Sequence, residues 1–276
     1  MTYCVGLRLN RGIIFASDTR TNAGVDNIAT FSKMHIWERP GDRVIVIMSA
    51  GNLAFTQSII SLLNEKTQLG PEEHSLVTVN TMFQAARLVG ETIRQFRREE
   101  KELIEEHPSL FNGCFILGGQ IANEPPRLFQ IYREGNFIEA TRDTSYFQIG
   151  EHKYGKPILD RVANPEMTMG VATKLILISF DSTLRSNLSV GMPIDLLIYR
   201  KDELEVGDQF RIDEKDQHFK KLSRGWSEAI RDAFSHIDEY GEDDGSDMRV
   251  RSGTGEADDE DELAQATAGW ISAVDR

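Results

Sequence analysis

The 276-residue chain reads as an α+β protein in which runs of antiparallel strands and pairs of helices are segregated into layers. Three observations predict this. Short apolar strands come in pairs over residues 3–17 and 33–49, the hydrophobic period turns helical between 52 and 106, and strand character returns at Asn112-Gly113. A doubly wound parallel fold would alternate strand and helix one at a time.

Taken in order, Tyr3 to Leu9 (YCVGLRL) is strand-like, Asn10-Arg11-Gly12 is a turn, and Gly12 to Ser17 (GIIFAS) is a second, apolar strand. So short a connection predicts an antiparallel hairpin whose second strand is buried. Lys33 to Glu38 and Arg43 to Ser49 form another pair around Pro40-Gly41-Asp42. From Asn52 to Lys66, Leu53, Phe55, Thr56, Ile59, Ile60 and Leu63 recur at helical spacing, with Asn52 as the cap. A longer helix is expected from Thr78 to Glu106, with Phe83, Ala86, Val89, Ile93 and Phe96 on its apolar face. Strands follow over Cys114–Gln120, Arg127–Arg133 and Phe137–Ala140, separated by turn residues at Asn123 to Pro126 and Glu134-Gly135-Asn136. Helices near Lys153–Val162 and Met167–Ser186, a strand over Pro193–Lys201 and a helix near Glu214–Tyr240 complete a body spanning residues 2–240.

The net charge of −13 argues against a nucleic-acid partner, and it is unevenly placed. Between Asp238 and Glu262 twelve acidic residues face only Arg249 and Arg251, a local charge of −10. Residues 241–262 are expected to be an acidic flexible linker, too poor in apolar side chains to offset chain entropy. Residues 263–276, with Trp270 and Ile271, read either as a frayed end or as a short docking helix. There is no apolar stretch of membrane-spanning length and no signal-peptide pattern, so a soluble, cytoplasmic protein without a membrane partner is expected. Cys4 and Cys114 have no metal-like spacing, the six histidines show no i, i+3 or i, i+4 pairing, and no GxxxxGK[ST] string occurs. No cofactor or metal is called for, and the chain is not expected to hydrolyse ATP itself.

The chemistry is concentrated in the first fifty residues. Met1 precedes a small residue, the context in which an initiator methionine is removed, and removal would give Thr2 a free α-amine beside its hydroxyl. That unites nucleophile and base in one residue. The reference pKa of such an amine, about 7.7–8.0, makes it basic near cellular pH. A lysine beside it lowers the amine and hydroxyl pKa values, and an aspartate holds that lysine charged. Lys33 at a strand start and Asp18 at a strand end suit this, provided the two strand pairs adjoin. Gly51, at a strand-to-helix junction, supplies an amide suited to an oxyanion. Singly, Asp18 reads as a turn residue, Lys33 as a surface lysine and Gly51 as a helix-start glycine; jointly they read as a site.

Thr2, Ala16-Ser17-Asp18-Thr19-Arg20, Gly24, Lys33 and Ser49-Ala50-Gly51 resemble the N-terminal-nucleophile peptidases of proteasome β-subunit and HslV type. The strings DTRTNAGVDNIATFSKMHIWERPGDRVIVIMSAGN and DSTLRSNLSVGMPIDLLIYRKDEL resemble the bacterial branch called Anbu, the ancestral β-subunit, and the similarity runs from Thr2 to about His236. The resemblance implies an αββα sandwich of two antiparallel sheets between helical layers. It implies Thr2 as nucleophile, Asp18 and Lys33 as its activating pair, Gly51 as oxyanion donor and Ser189 as a further catalytic-site residue. It also implies a substrate pocket formed by Thr21, Asn22, Phe31, His35, Ser49 and Leu53, mixed in polarity and without a sharp preference. Self-association into a large open-ring or lock-washer homo-oligomer is expected, with a peptide or protein as substrate; whether an ATP-driven unfoldase feeds it stays open.

The chain departs from the family pattern at two places. Where proteasome and HslV subunits carry Gly-Ser-Gly, it reads Gly150-Glu151-His152; Glu151 would salt-bridge the terminal ammonium, favour a basic substrate or face solvent. Where proteasome subunits place Asp and Ser three apart, it reads Ser186 and Ser189. Glu151 and Ser186 are therefore expected to modulate a threonine-dependent amide-bond hydrolase. The alternatives are a weakly active or inactive ring-forming scaffold that binds peptides, and an amidase for a non-protein amide.

Overall fold

The computed structural model describes residues 2–22, 28–70 and 74–238, with the side chains of Asn22 and Ile28 outside the description. The expectations placed on Met1, Gly24, the linker over 241–262 and the helix over 263–276 lie outside the described residues. The chain divides into two units, Met1–Glu228 and Ala229–Arg276.

The elements run in the order β1 (Tyr3–Leu9), β2 (Gly12–Asp18), β3 (Arg20–Asn22), β4 (Ile28–Thr30), β5 (Met34–Arg39), β6 (Arg43–Gly51), α1 (Leu53–Gln68), α2 (Met82–Glu99) and α3 (Lys101–Glu106). After a 3₁₀ turn at Pro108–Phe111 come β7 (Gly113–Ile121), β8 (Arg127–Ile131), β9 (Phe137–Glu139) and β10 (Tyr146–Gly150). Then follow α4 (Lys156–Val162), α5 (Met169–Ser186), β11 (Ile194–Arg200), β12 (Asp208–Ile212) and α6 (Gln217–Ser235).

Two five-stranded antiparallel sheets form, in the orders β10-β1-β2-β11-β12 and β5-β6-β7-β8-β9, beside a small β3-β4 ribbon. The reason lies in the apolar pattern of the central strands. Along β2, Ile14 and Ala16 join a core beneath α5, whereas Ile13 and Phe15 join the core between the sheets. Along β6, Ile45 and Ile47 pack under α1 and α2, whereas Val44, Val46 and Met48 face the other sheet. Strands covered on both faces read as continuous apolar runs, as these do. The result is an αββα sandwich: α1 and α2, the β6-containing sheet, the β2-containing sheet, then α4 and α5.

The β1–β2 hairpin forms in the register Cys4↔Ser17 to Leu9↔Gly12, and every residue of β2 is buried. Asn52 caps α1 by accepting the Phe55 N–H at 3.1 Å. The expected helix over 78–106 is shorter and broken. Thr81 caps α2 by accepting the Gln84 N–H at 3.1 Å. Residues before it are held as a turn, because Arg43 Nη1 donates to the carbonyls of Leu76 and Val79 at 3.3 and 2.6 Å. At Glu100 the backbone leaves the helical region (φ −97°, ψ 22°), and α3 buries no residue that would hold it in line with α2. Phe83 is 47% exposed and meets Phe137 edge-on at 5.4 Å instead of entering the core. Strands β10 and β12 are additions to the sequence reading, and both complete the sheet that carries Thr2. No helix among the described residues is long and apolar enough to cross a membrane.

The sheets approach closely because β1 and β7 present glycines to each other's layer. A Cβ on Gly6 would lie 3.0 Å from the fully buried Leu128 side chain of the other sheet, and one on Gly118 would lie 2.9 Å from the Phe15 ring of β2. Leu128→Ala is therefore expected to destabilise the fold by roughly 2–5 kcal/mol. Urea unfolding followed by fluorescence checks this, and an unchanged midpoint contradicts it.

Candidate active site

The stacking brings the ends of β1, β2 and β5 to one edge of the sandwich. Asp18 closes β2 with no exposure, and Lys33, just before β5, is 4% exposed. Lys33 Nζ donates to Asp18 Oδ1 at 2.6 Å and to the Arg20 carbonyl at 2.7 Å. The Tyr3 N–H donates to the same Asp18 oxygen at 2.9 Å, and the Gly191 N–H to Oδ2 at 3.3 Å. Burial pushes the Asp18 carboxyl above its ordinary value, against the pull of the Lys33 charge and these three hydrogen bonds. Thr19 and Arg20 pin the segment after α5, Thr19 Oγ1 donating to the Pro193 carbonyl at 2.7 Å and Arg20 Nη1 to that of Leu188 at 3.0 Å.

Thr2 is 8% exposed and sits one peptide from Asp18. Its carbonyl accepts the Glu151 N–H at 2.6 Å. This approach requires Gly150, whose φ is +86° and whose Cβ, if present, would stand 2.0 Å from the Thr2 oxygen. Glu151 is 2% exposed, so the solvent-facing alternative for it is overturned by burial. Its Oε1 accepts the N–H groups of His152 and Lys153 at 2.9 and 2.8 Å, and its Oε2 accepts Asn187 Nδ2 at 2.5 Å. Burial raises the Glu151 carboxyl, but the Lys153 N–H, the Asn187 amide and the His152 N–H outweigh it and hold the group below the usual glutamate range.

Ser186 is the last, exposed residue of α5, and neither its hydroxyl nor that of Ser189 bonds Thr2, Asp18 or Lys33 among the described residues. Ser189 enters the network through its backbone, its N–H donating to Asn187 Oδ1 at 2.9 Å. Asn187 and Gly191 escaped the sequence reading. An asparagine directly after a helix, bonding the amide two residues on, is an Asx-turn, and that signal is present in Asn187-Leu188-Ser189.

The register gives Gly51 its direction. The Ser49 N–H bonds the Lys33 carbonyl at 3.0 Å and the Asn52 N–H bonds that of Asn112 at 2.8 Å. Alternation turns the Gly51 N–H to the Ser49 side, past the point where β5 begins. His35 pairs with Ile47 and Ser49 with Phe115, both on the face that packs against α1, and Leu53 opens that helix. Three of the six pocket residues therefore share one side of the sheet. Burial lowers the His35 imidazole, which keeps it neutral at pH 7. Phe31 is 39% exposed, with its N–H on the Thr19 carbonyl at 2.9 Å. Thr21 pairs with Ala29 in the ribbon, and Asn22 with Ile28. Among the described residues no group of three His, Cys, Asp or Glu side chains could hold a metal ion.

Residues 2–198 match the family described as proteasome subunit. The chain belongs to the proteasome family. Solved structures place it in the Anbu branch. It is similar to Anbu from Hyphomicrobium sp. strain MC1 at 57% identity, with 86% of this chain and 99% of that one covered and a TM-score of 0.79. Anbu, the ancestral β-subunit, from Yersinia bercovieri is 51% identical, with coverage of 86% and 98% and a TM-score of 0.79. The Anbu complex from Pseudomonas aeruginosa, solved as a helical assembly, is 44% identical, with coverage of 86% and 97% and a TM-score of 0.80. No curated protein matches.

In this proteasome-family chain a glutamate pKa below the ordinary value means stability that is present above about pH 4.3. It is lost as pH falls beneath that range through the folded-state value. Glu151→Gln is expected to cost about 1–3 kcal/mol at pH 7 through the broken Asn187 bond. The deficit against wild type should shrink in acid, where wild-type Glu151 is also neutral. Thermal melts from pH 7 down to pH 3 check this; a constant deficit contradicts it.

Proposed function

We propose that the chain is a threonine-dependent amide-bond hydrolase acting on peptides or proteins, with Thr2 as nucleophile once Met1 is removed. The observation that carries this reading is the buried Lys33–Asp18 pair at 2.6 Å, whose carboxylate also holds the Tyr3 N–H, one peptide from Thr2. A paired lysine at 4% exposure is a costly arrangement to keep for solubility or packing. It suits a site that must carry fixed positive charge beside a nucleophile.

In this mechanism the Thr2 hydroxyl oxygen attacks the substrate carbonyl carbon while the Thr2 α-amine accepts its proton. Lys33 lowers the pKa of both groups by its charge, and Asp18 keeps that charge in place. The Gly51 N–H stabilises the tetrahedral oxyanion. Collapse breaks the C–N bond, the leaving amine takes the proton back from the Thr2 amine, and a threonine ester remains. Water, deprotonated by the same amine, hydrolyses the ester and regenerates Thr2. His35, neutral, with Ser49, Leu53, Phe31, Thr21 and Asn22 forms the substrate pocket. Self-association is part of the proposal and is supported by the helical assembly of the Pseudomonas aeruginosa relative.

Intact-mass measurement is expected to find the chain without Met1. A β-lactone probe, which opens onto a hydroxyl without losing atoms, should add its full mass once, at Thr2. Thr2→Ala should abolish both labelling and peptide hydrolysis, and Lys33→Ala should slow labelling roughly 10²–10⁴-fold. Retention of Met1 on labelled protein, or activity surviving in Thr2→Ala, overturns the nucleophile assignment.

A further inference from the structure

The Thr2–Tyr3 peptide group is gripped at both ends. Its carbonyl accepts the Glu151 N–H at 2.6 Å and its N–H donates to Asp18 Oδ1 at 2.9 Å. Behind it, the two acidic residues are joined by the segment that follows α5. Asn187 Nδ2 donates to Glu151 Oε2 at 2.5 Å, Asn187 Oδ1 accepts the Ser189 N–H at 2.9 Å, and the Gly191 N–H donates to Asp18 Oδ2 at 3.3 Å. These bonds close a ring from the Thr2–Tyr3 peptide through Glu151, Asn187, Ser189–Gly191 and Asp18 back to the same peptide.

The ring has a fixed polarity. An ionised Glu151 can only accept, and with two backbone N–H groups already on Oε1 it takes the Asn187 amide as a donor on Oε2. That leaves the Asn187 oxygen as the only acceptor on that side chain for Ser189. Neither residue can be exchanged alone without setting donor against donor or charge against charge. A charge-assisted bond of this kind is about twice as strong as a neutral one, and Glu151 is 2% exposed, so water does not replace a lost partner.

We infer that Asn187, through the Glu151 carboxylate, is a positioning residue for the nucleophile: the pair sets where the Thr2 carbonyl is held, and with it the Thr2 hydroxyl and amine relative to Lys33. This rests on the threonine-nucleophile reading. It assigns the place left by Ser186, which stays exposed at the helix end, to its neighbour Asn187. It also gives Glu151 a role other than contact with substrate. Misplacing a reacting group by about 1 Å costs on the order of a hundredfold in rate, and the two-point grip on one peptide is what prevents such a shift here.

The polarity suggests a swap experiment. Asn187→Asp sets two carboxylates against each other. The rate of β-lactone acylation, normalised to folded protein, is expected to fall roughly a hundredfold at pH 8 and to recover relative to wild type in acid, where the carboxyl pair shares one proton. Glu151→Gln alone sets two amide donors against each other and should be slow at every pH. Combining Glu151→Gln with Asn187→Asp rebuilds each bond with its direction reversed between the two side chains: the new amide oxygen accepts the His152 and Lys153 N–H groups, its NH₂ donates to the new carboxylate, and that carboxylate accepts Ser189. The double variant should recover most of the lost rate, without the acid-dependent recovery of the single Asn187→Asp variant.

Crystal structures of the three variants supply a readout apart from activity. The Thr2 carbonyl should move off the Glu151-position N–H in both singles and return in the double. A double variant that is as slow as the singles, or that does not fold, overturns the inference, as does a single variant that lowers melting temperature yet keeps both the wild-type rate and the Thr2 position. Should β-lactone fail to label wild type while the carbonyl shifts and returns as expected, the nucleophile reading falls and the positioning of the Thr2–Tyr3 peptide stands.

Discussion

A carboxylate cut off from water organises one edge of this molecule. Asp18 has no exposed surface, so its charge has to be met by protein groups or not held at all. Three separate parts of the chain meet it: Lys33 from the approach to β5, Tyr3 from the start of β1, and Gly191 from the segment leading into β11. The two sheets are thereby tied at the point where their hydrophobic interlayer ends. Without Lys33 the carboxylate would be an uncompensated buried charge; without Asp18 the ammonium would be one. The pair is thus a poor source of stability and a strong source of geometry.

Glu151 is buried almost as completely, yet its chemistry runs the other way. Burial is the largest influence on both carboxyls, and it wins at Asp18 but loses at Glu151. The difference is local. Glu151 heads a tight turn whose next two N–H groups converge on one of its oxygens, and Asn187 adds a third donor on the other. Asp18 depends instead on distant segments brought in by the fold. Glu151 is held below its ordinary range chiefly by the N–H groups of its own turn, Asp18 is met only by distant segments, and the Thr2–Tyr3 peptide hangs between them.

Much of this was readable along the chain. The GIIFAS run could be recognised as a strand covered on both faces because no polar residue interrupts it, and Asn52 could be recognised as a cap because its side chain needs only the amide three residues on. Local rules failed where the deciding partner was remote. Phe83 fits the helical period but lies at the sheet's edge, where it pairs with Phe137 of β9 and stays half exposed. The helix over 78–106 loses its first turn to Arg43, a residue at the start of β6. The YFQIG segment that becomes β10 is short and half polar, and it is held as an edge strand by pairing with β1.

The sequence alone determined the layered α+β character, the β1–β2 hairpin and the family resemblance, and it nominated Thr2, Asp18, Lys33 and Gly51 as a candidate site. The first two follow from period and turn chemistry within a short window, the others from motifs spread along the chain. Only the tertiary structure decided that Asp18 and Lys33 touch, that Glu151 turns inward, and that Asn187 rather than Ser186 meets it. Those outcomes depend on hydrogen bonds between residues 15 and 36 positions apart, and a buried donor or acceptor finds its partner by where the sheets bring the chain, which no local pattern encodes.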